Sequence, residues 1–152
     1  ELEQRVLLFY TGRCRESAAI LTGQRRRISE DSTETLRACD ELKAQAYRAR
    51  DLLSAGRLDD VGSLLHEAWQ TKKRAAAGVS NPATERSYEV ARSAGALGAK
   101  VAGAGGGGFM LVYSAEGRQD DITSALEGEG LAPMNFRFDS SGARVLVNAL
   151  AA

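Results

Sequence analysis

The chain has 152 residues, with 20 Lys plus Arg against 20 Asp plus Glu, so its formal net charge is zero. That length fits one domain at roughly 100 to 200 residues per domain. The neutral balance excludes a protein built mainly to hold nucleic acid or an anionic membrane, which would need a sustained surplus of Lys and Arg. At 43% hydrophobic and 26% charged residues the composition is that of a folded globular chain.

Arg5 to Thr11 is a short apolar run rich in strand formers and closed by Gly12, which predicts a buried first strand. Glu16 to Ile28 predicts a helix whose basic last turn, Gln24-Arg25-Arg26-Arg27, complements the helix dipole. Asp31 followed by Glu34 resembles a capping box. Leu36, Cys39, Leu42, Ala46, Ala49 and Leu53 then recur at helical spacing until Gly56. Asp59 and Asp60 mark the start of the next helix as dipole compensation, with Leu58, Val61, Leu65, Ala68 and Trp69 as its apolar stripe.

Asn81-Pro82 predicts a helix start, Asn81 as N-cap and Pro82 in the first turn, running to about Ala94 before Gly95. A strand around Ala99–Ala102, a glycine loop from Gly103 to Gly108 and a strand over Phe109–Tyr113 follow, then a helix over roughly Arg118–Glu129. Pro133 precedes an alternating strand through Phe136 and Phe138, and a last strand runs through Val145 and Val147. This order predicts an α+β domain of the ferredoxin-like split βαβ type. Extra helices fill its first crossover, and the helices segregate onto one face of the sheet.

Cys14 and Cys39 are too few for a disulfide framework and form no CxxC site, which points to a reducing, cytoplasmic setting. No apolar run approaches the ~20 residues of a membrane span, and the N-terminus lacks the basic start of a signal peptide. Because the chain begins at Glu1 and enters an apolar strand almost at once, it is read as a piece of something longer.

The segment with chemical promise is Lys100 to Phe109. Gly103, Gly105 and Gly108 satisfy G-x-G-x-x-G in form, but a dinucleotide fingerprint opens a helix, and here a strand follows. A Walker A loop would place Lys after the glycines. What remains is a loop between strands able to take positive φ and bring bare N–H groups against an anion or another chain segment. His66-Glu67 lacks the second histidine of a zinc-protease helix, since the fifth position is Gln70. Arg13 and Arg15 at a strand-to-helix turn, Lys72-Lys73-Arg74 and the helix start at Asn81 are the candidate anion-binding groups. They suit a small phosphorylated molecule better than a polymer.

Gly-Ala-Lys-Val-Ala-Gly-Ala-Gly-Gly-Gly-Gly-Phe from Gly98 to Phe109 resembles the third conserved motif of the GHMP small-molecule kinases. Leu7-Leu8-Phe9-Tyr10-Thr11-Gly12-Arg13, Leu64-Leu65-His66-Glu67-Ala68-Trp69 with Lys72-Lys73, and Val79-Ser80-Asn81-Pro82 are similar to its sugar branch, more narrowly to kinases of 7-phosphorylated heptoses. Phe136-Arg137-Phe138-Asp139 and Gly142-Ala143-Arg144-Val145 fit that branch too.

The resemblance covers essentially the whole chain and implies the C-terminal lobe of such a kinase. It implies transfer of the ATP γ-phosphoryl group, in the heptose branch to an anomeric hydroxyl. The ATP loop, the catalytic acid and the Mg²⁺ ligand would lie in a missing N-terminal lobe, leaving no catalytic residue here and an isolated chain without activity. The implied phosphate-site loop is Lys100, Gly103, Ala104, Gly105, Gly106 and Gly107, packed against the ATP loop. Arg13, Arg15, Lys72, Ser80 and Asn81 are the substrate-binding candidates, Lys100 also serving the acceptor's phosphate pocket. ATP and Mg²⁺ would be bound only by the complete enzyme, and its partners would be the sugar phosphate and the missing lobe, with no nucleic acid or membrane. The competing expectation is a stand-alone ferredoxin-like small-molecule-binding or regulatory module without catalysis.

Overall fold

In the computed structural model, which describes residues 1–12, 17–29 and 33–142, the chain does not pass straight into a strand. One turn of helix, α1 (Leu2–Arg5), comes first and β1 spans Val6–Tyr10. Arg5 belongs to the helix because its ends are held there: its guanidinium pairs with Asp59 at 2.9 Å, and its carbonyl accepts from Ser114 Oγ.

Four helices follow, α2 (Ser17–Ser29), α3 (Thr33–Ser54), α4 (Leu58–Ala75) and α5 (Pro82–Ser93). Gly56 ends α3 with φ +68°, while Arg57 N–H returns to Leu52 C=O, closing carbonyls the helix would leave unpaired. Asp59 and Asp60 lie in the first turn of α4, and Asp60 also pairs with Arg57. The Asn81 carboxamide accepts from Thr84 N–H at 3.1 Å, and Pro82 at the first helical position removes no bond the helix would have made. The chain then forms β2 (Ala96–Val101), β3 (Phe109–Ser114), α6 (Gln119–Gly128) and β4 (Ala132–Pro133). The Asp31 capping box and the strand through Val145 and Val147 fall outside the described residues.

The strands order as β2-β3-β1-β4, every neighbouring pair antiparallel. The strand expected through Phe136 and Phe138 does not form. Only Ala132 and Pro133 pair with β1, and Met134 N–H makes one more bond, to Leu8 C=O. Pro133 has no N–H for a ladder, and Met134 and Phe138 are exposed, so alternation beyond it finds no face to bury.

One face of the sheet carries Phe9, Ala99, Val101, Met110 and Val112, packed with Trp69, Tyr88, Ala91, Ile122 and Leu126. Burying each large side chain contributes about 1.5–3 kcal/mol, so this layer dominates the fold's stability. Side chains alternate across a strand, which sends Leu111 and Tyr113 to the other face. There they meet Val6, Lys100, and residues of α3 and α4 along an apolar groove. The helices are therefore not confined to one face. Trp69 of α4 enters the core, while Leu64 and Leu65 border the groove. This straddling depends on Gly98, where a β-carbon would lie 2.7 Å from His66 N. Among the described residues no helix is long and apolar enough to cross a membrane.

Candidate functional site

Between β2 and β3 the chain takes conformations that side chains resist: Gly103, Gly105, Gly106, Gly107 and Gly108 all have positive φ. Such a run would be loose unless its polar backbone were tied down. Lys72 Nζ donates to Gly103 C=O at 2.5 Å and Val101 C=O at 3.3 Å. Gly106 N–H donates to Val79 C=O at 2.7 Å, and Asn81 Nδ2 donates to Gly106 C=O at 3.0 Å. At the far end Thr11 gives both its N–H, at 2.8 Å, and its hydroxyl, at 3.0 Å, to Gly108 C=O. The loop is thus clamped by α4, by the turn before α5 and by the end of β1.

This clamp forms one wall of a cleft of about 400 Å³. Gly106, Gly107 and Thr11 lie on one side, the start of α5 at Asn81 on another, and Arg86 with Glu129 on a third. Pro82 has no N–H, and the N–H groups of Thr84 and Glu85 are bonded to Asn81, so the first turn of α5 offers the positive end of a helix dipole beside the loop, which favours an anion. Arg86 Nε and Nη2 hold the two Glu129 oxygens at 2.6 and 3.0 Å. That bond keeps the Glu129 carboxyl below, and the Arg86 guanidinium above, its usual pKa. The pair is solvent-exposed on the Arg86 side, so an incoming phosphate could take over the same planar donor fork.

Asn81, Gly106 and Gly107 line the cleft. Ser80 turns its hydroxyl to Glu85. Burial, and next the charge of Lys100, bring the Lys72 pKa down to about 8, with its ammonium occupied by the loop carbonyls. Lys100 borders the apolar groove. Ala104 packs against the core, and Gly105 lies on Val79. Arg13 and Arg15 lie outside the described residues. Sequence alone does not single out Arg86 or Glu129, and Thr11 stands in it only as part of the motif from Leu7 to Arg13. The arginine, on α5, and the glutamate, just past the end of α6, are 43 residues apart, and no local pattern announces their meeting. His66 bonds through Nδ1 to the Tyr88 hydroxyl, a packing role between α4 and α5.

The family model described as GHMP kinases C terminal matches residues 49–130. The chain belongs to this family. It is 28% identical over 144 residues, 95% of its length, to the D-glycero-alpha-D-manno-heptose 7-phosphate kinase of Campylobacter jejuni. It is 30% identical over 114 residues, 75% of its length, to the bifunctional fucokinase/GDP-fucose pyrophosphorylase of Arabidopsis thaliana. It spans 42% of the first of these relatives and 11% of the second. Among solved structures, L. major mevalonate kinase in complex with R-mevalonate superposes with a TM-score of 0.74 at 24% identity, over 81% of this chain and 37% of that one. At that identity the match establishes a shared GHMP C-terminal fold. The relatives are phosphotransferases, and the glycine loop and the α5 start of this GHMP domain lie within the matched 49–130 segment.

Proposed function

We propose that this GHMP domain is the acceptor-side lobe of an ATP-dependent sugar-phosphate kinase acting on the anomeric hydroxyl of D-glycero-D-manno-heptose 7-phosphate. The observation that carries it is the cleft itself, where Gly107, the start of α5 and the exposed guanidinium of Arg86 border one volume. The heptose kinase match over nearly the whole chain supports the choice of acceptor.

In such a reaction the bond from the γ-phosphorus to the ADP oxygen breaks and one to the acceptor oxygen forms. The protein contributes mainly positioning and stabilisation of the spread negative charge. The Gly103–Gly107 loop, fixed by Lys72 and Val79, shapes the phosphate side of the cleft, and Arg86 grips the acceptor's own phosphate. Glu129 is the carboxylate lining the cleft and is already bonded to Arg86, so these residues do not fit Mg²⁺. The metal and the ATP triphosphate are assigned to the remainder of a longer kinase, active in the cytoplasm. Strand order 2-3-1-4 with antiparallel neighbours supports the ferredoxin-like reading of the sheet.

The test is phosphate transfer from ATP by the full-length protein that carries this domain, with heptose 7-phosphate, fucose and mevalonate compared by kcat/KM. Preference for heptose 7-phosphate is expected. Preference for another acceptor overturns the substrate. Absence of any transfer, with saturable sugar-phosphate binding by the domain alone, points instead to a binding module.

A further inference from the structure

The turn that seats the glycine loop is itself held from behind. Ser80 Oγ donates to Glu85 Oε1, and Lys73 Nζ donates to Glu85 Oε2 at 2.9 Å. The Glu85 N–H closes the same turn on Asn81 C=O at 2.9 Å. Lys73 in turn stands 5.9 Å from the centroid of the Tyr88 ring, whose hydroxyl bonds His66, so the network is anchored on both α4 and α5.

We infer that Glu85, oriented by Lys73, is a positioning residue for the glycine loop, acting through Ser80 on the Val79–Asn81 turn and so on Gly106. It lines no part of the cleft; its reach is indirect. Val79 and Asn81 bond the N–H and C=O of Gly106 from the two sides of Ser80, so rotation of the Ser80 peptide would loosen both. Burial disfavours the Glu85 carboxylate, yet the hydrogen bonds from Ser80 and Lys73 and the Lys73 charge outweigh it and leave its pKa below the usual value. The functional weight of this role rests on the loop being the wall of a phosphate-transfer site.

Amide hydrogen exchange of Gly106 in this chain tests it, with the Ala115 amide, bonded to Gly95 C=O at 3.0 Å, as an internal control. Glu85→Ala and Ser80→Ala are expected to speed Gly106 exchange by about tenfold, the order of one lost charge-assisted hydrogen bond, with Ala115 unchanged. Glu85→Gln has one oxygen for the two donors Ser80 and Lys73 and loses the ion pair, so its Gly106 exchange is expected to fall between the parent and Glu85→Ala. Unchanged Gly106 exchange in the two alanine variants overturns the proposal. Equal acceleration at Gly106 and Ala115 also overturns it, because Glu85 would then serve global stability alone. No substrate enters the measurement, so failure of the heptose kinase reading would leave the result standing.

Discussion

Gly105 lies directly on Val79: a β-carbon at Gly105 would stand 2.5 Å from the Val79 carbonyl oxygen and 2.8 Å from its Cα. Backbone rather than a movable side chain fills the space, and φ is +104°. Gly105→Ala is therefore expected to cost about 2–4 kcal/mol, combining left-handed strain with overpacking. Gly103, at φ +64° with nothing within 4 Å, is the control. Gly103→Ala is expected to cost only about 1 kcal/mol. Urea unfolding of both variants checks the ordering, and equal losses would contradict the close approach.

Asn81 does two jobs with two atoms. Its oxygen caps α5 and its Nδ2 holds Gly106 C=O. Asn81→Ala loses both, and a destabilisation of about 1–2 kcal/mol is expected. Asn81→Asp keeps the cap oxygen but replaces the donor with a carboxylate oxygen that faces the Gly106 C=O. Helix stability by circular dichroism should then stay near the parent, while Gly106 shifts in the amide spectrum.

Lys72 binds its proton less tightly in the folded chain, at a pKa of about 8, than at the ordinary lysine value of 10.5. Between those values the unfolded chain holds more protons than the native one, so stability rises with pH through that window. The cause is chiefly burial of the ammonium, then repulsion from Lys100. Denaturant midpoints at about pH 7 and about pH 10, compared between the parent and Lys72→Met, check this: the substitution should remove the part of the rise due to Lys72. An identical pH dependence in both proteins would show that Lys72 titrates normally.

Arg86 is expected to set acceptor affinity. In the full-length kinase Arg86→Ala should raise the heptose 7-phosphate KM by about 10- to 100-fold with kcat little changed, since the contact holds ground state and transition state alike. Glu129→Gln weakens the competing internal partner and should lower that KM. Steady-state kinetics on both variants decide it, and a KM unmoved by Arg86→Ala would place the acceptor's phosphate elsewhere.

The Asn81-Pro82 start of α5 and the Gly56 stop of α3 were legible because each is dictated within a few residues by capping geometry or by positive φ. The glycine loop was legible as a place of close backbone approach, since only glycine tolerates that conformation in series. The strand through Phe136 and Phe138 was not, because alternation reports a capacity for pairing and cannot supply a neighbour. Nor was the destination of Lys72 or of Ser80. A lysine in a basic helix end reads as an anion ligand, but whether the Lys72 ammonium meets an anion or the carbonyls of Val101 and Gly103 depends on how α4 lies across β2.

By itself the sequence determined the end of α3 at Gly56, the start of α5 at Asn81, the glycine loop and membership of the GHMP kinases, all of which follow from local conformational cost or from a contiguous motif. Only the tertiary structure decided which groups face the cleft. Arg86 and Glu129 meet because α5 and the end of α6 pack on one sheet face, and Lys72 turns to the carbonyls of Val101 and Gly103 because α4 crosses the sheet in close backbone contact at Gly98. Where Lys72 and Arg86 stand, the one bonded to Gly103 across 31 residues and the other to Glu129 across 43, is a matter of packing over separations at which local propensity carries no information.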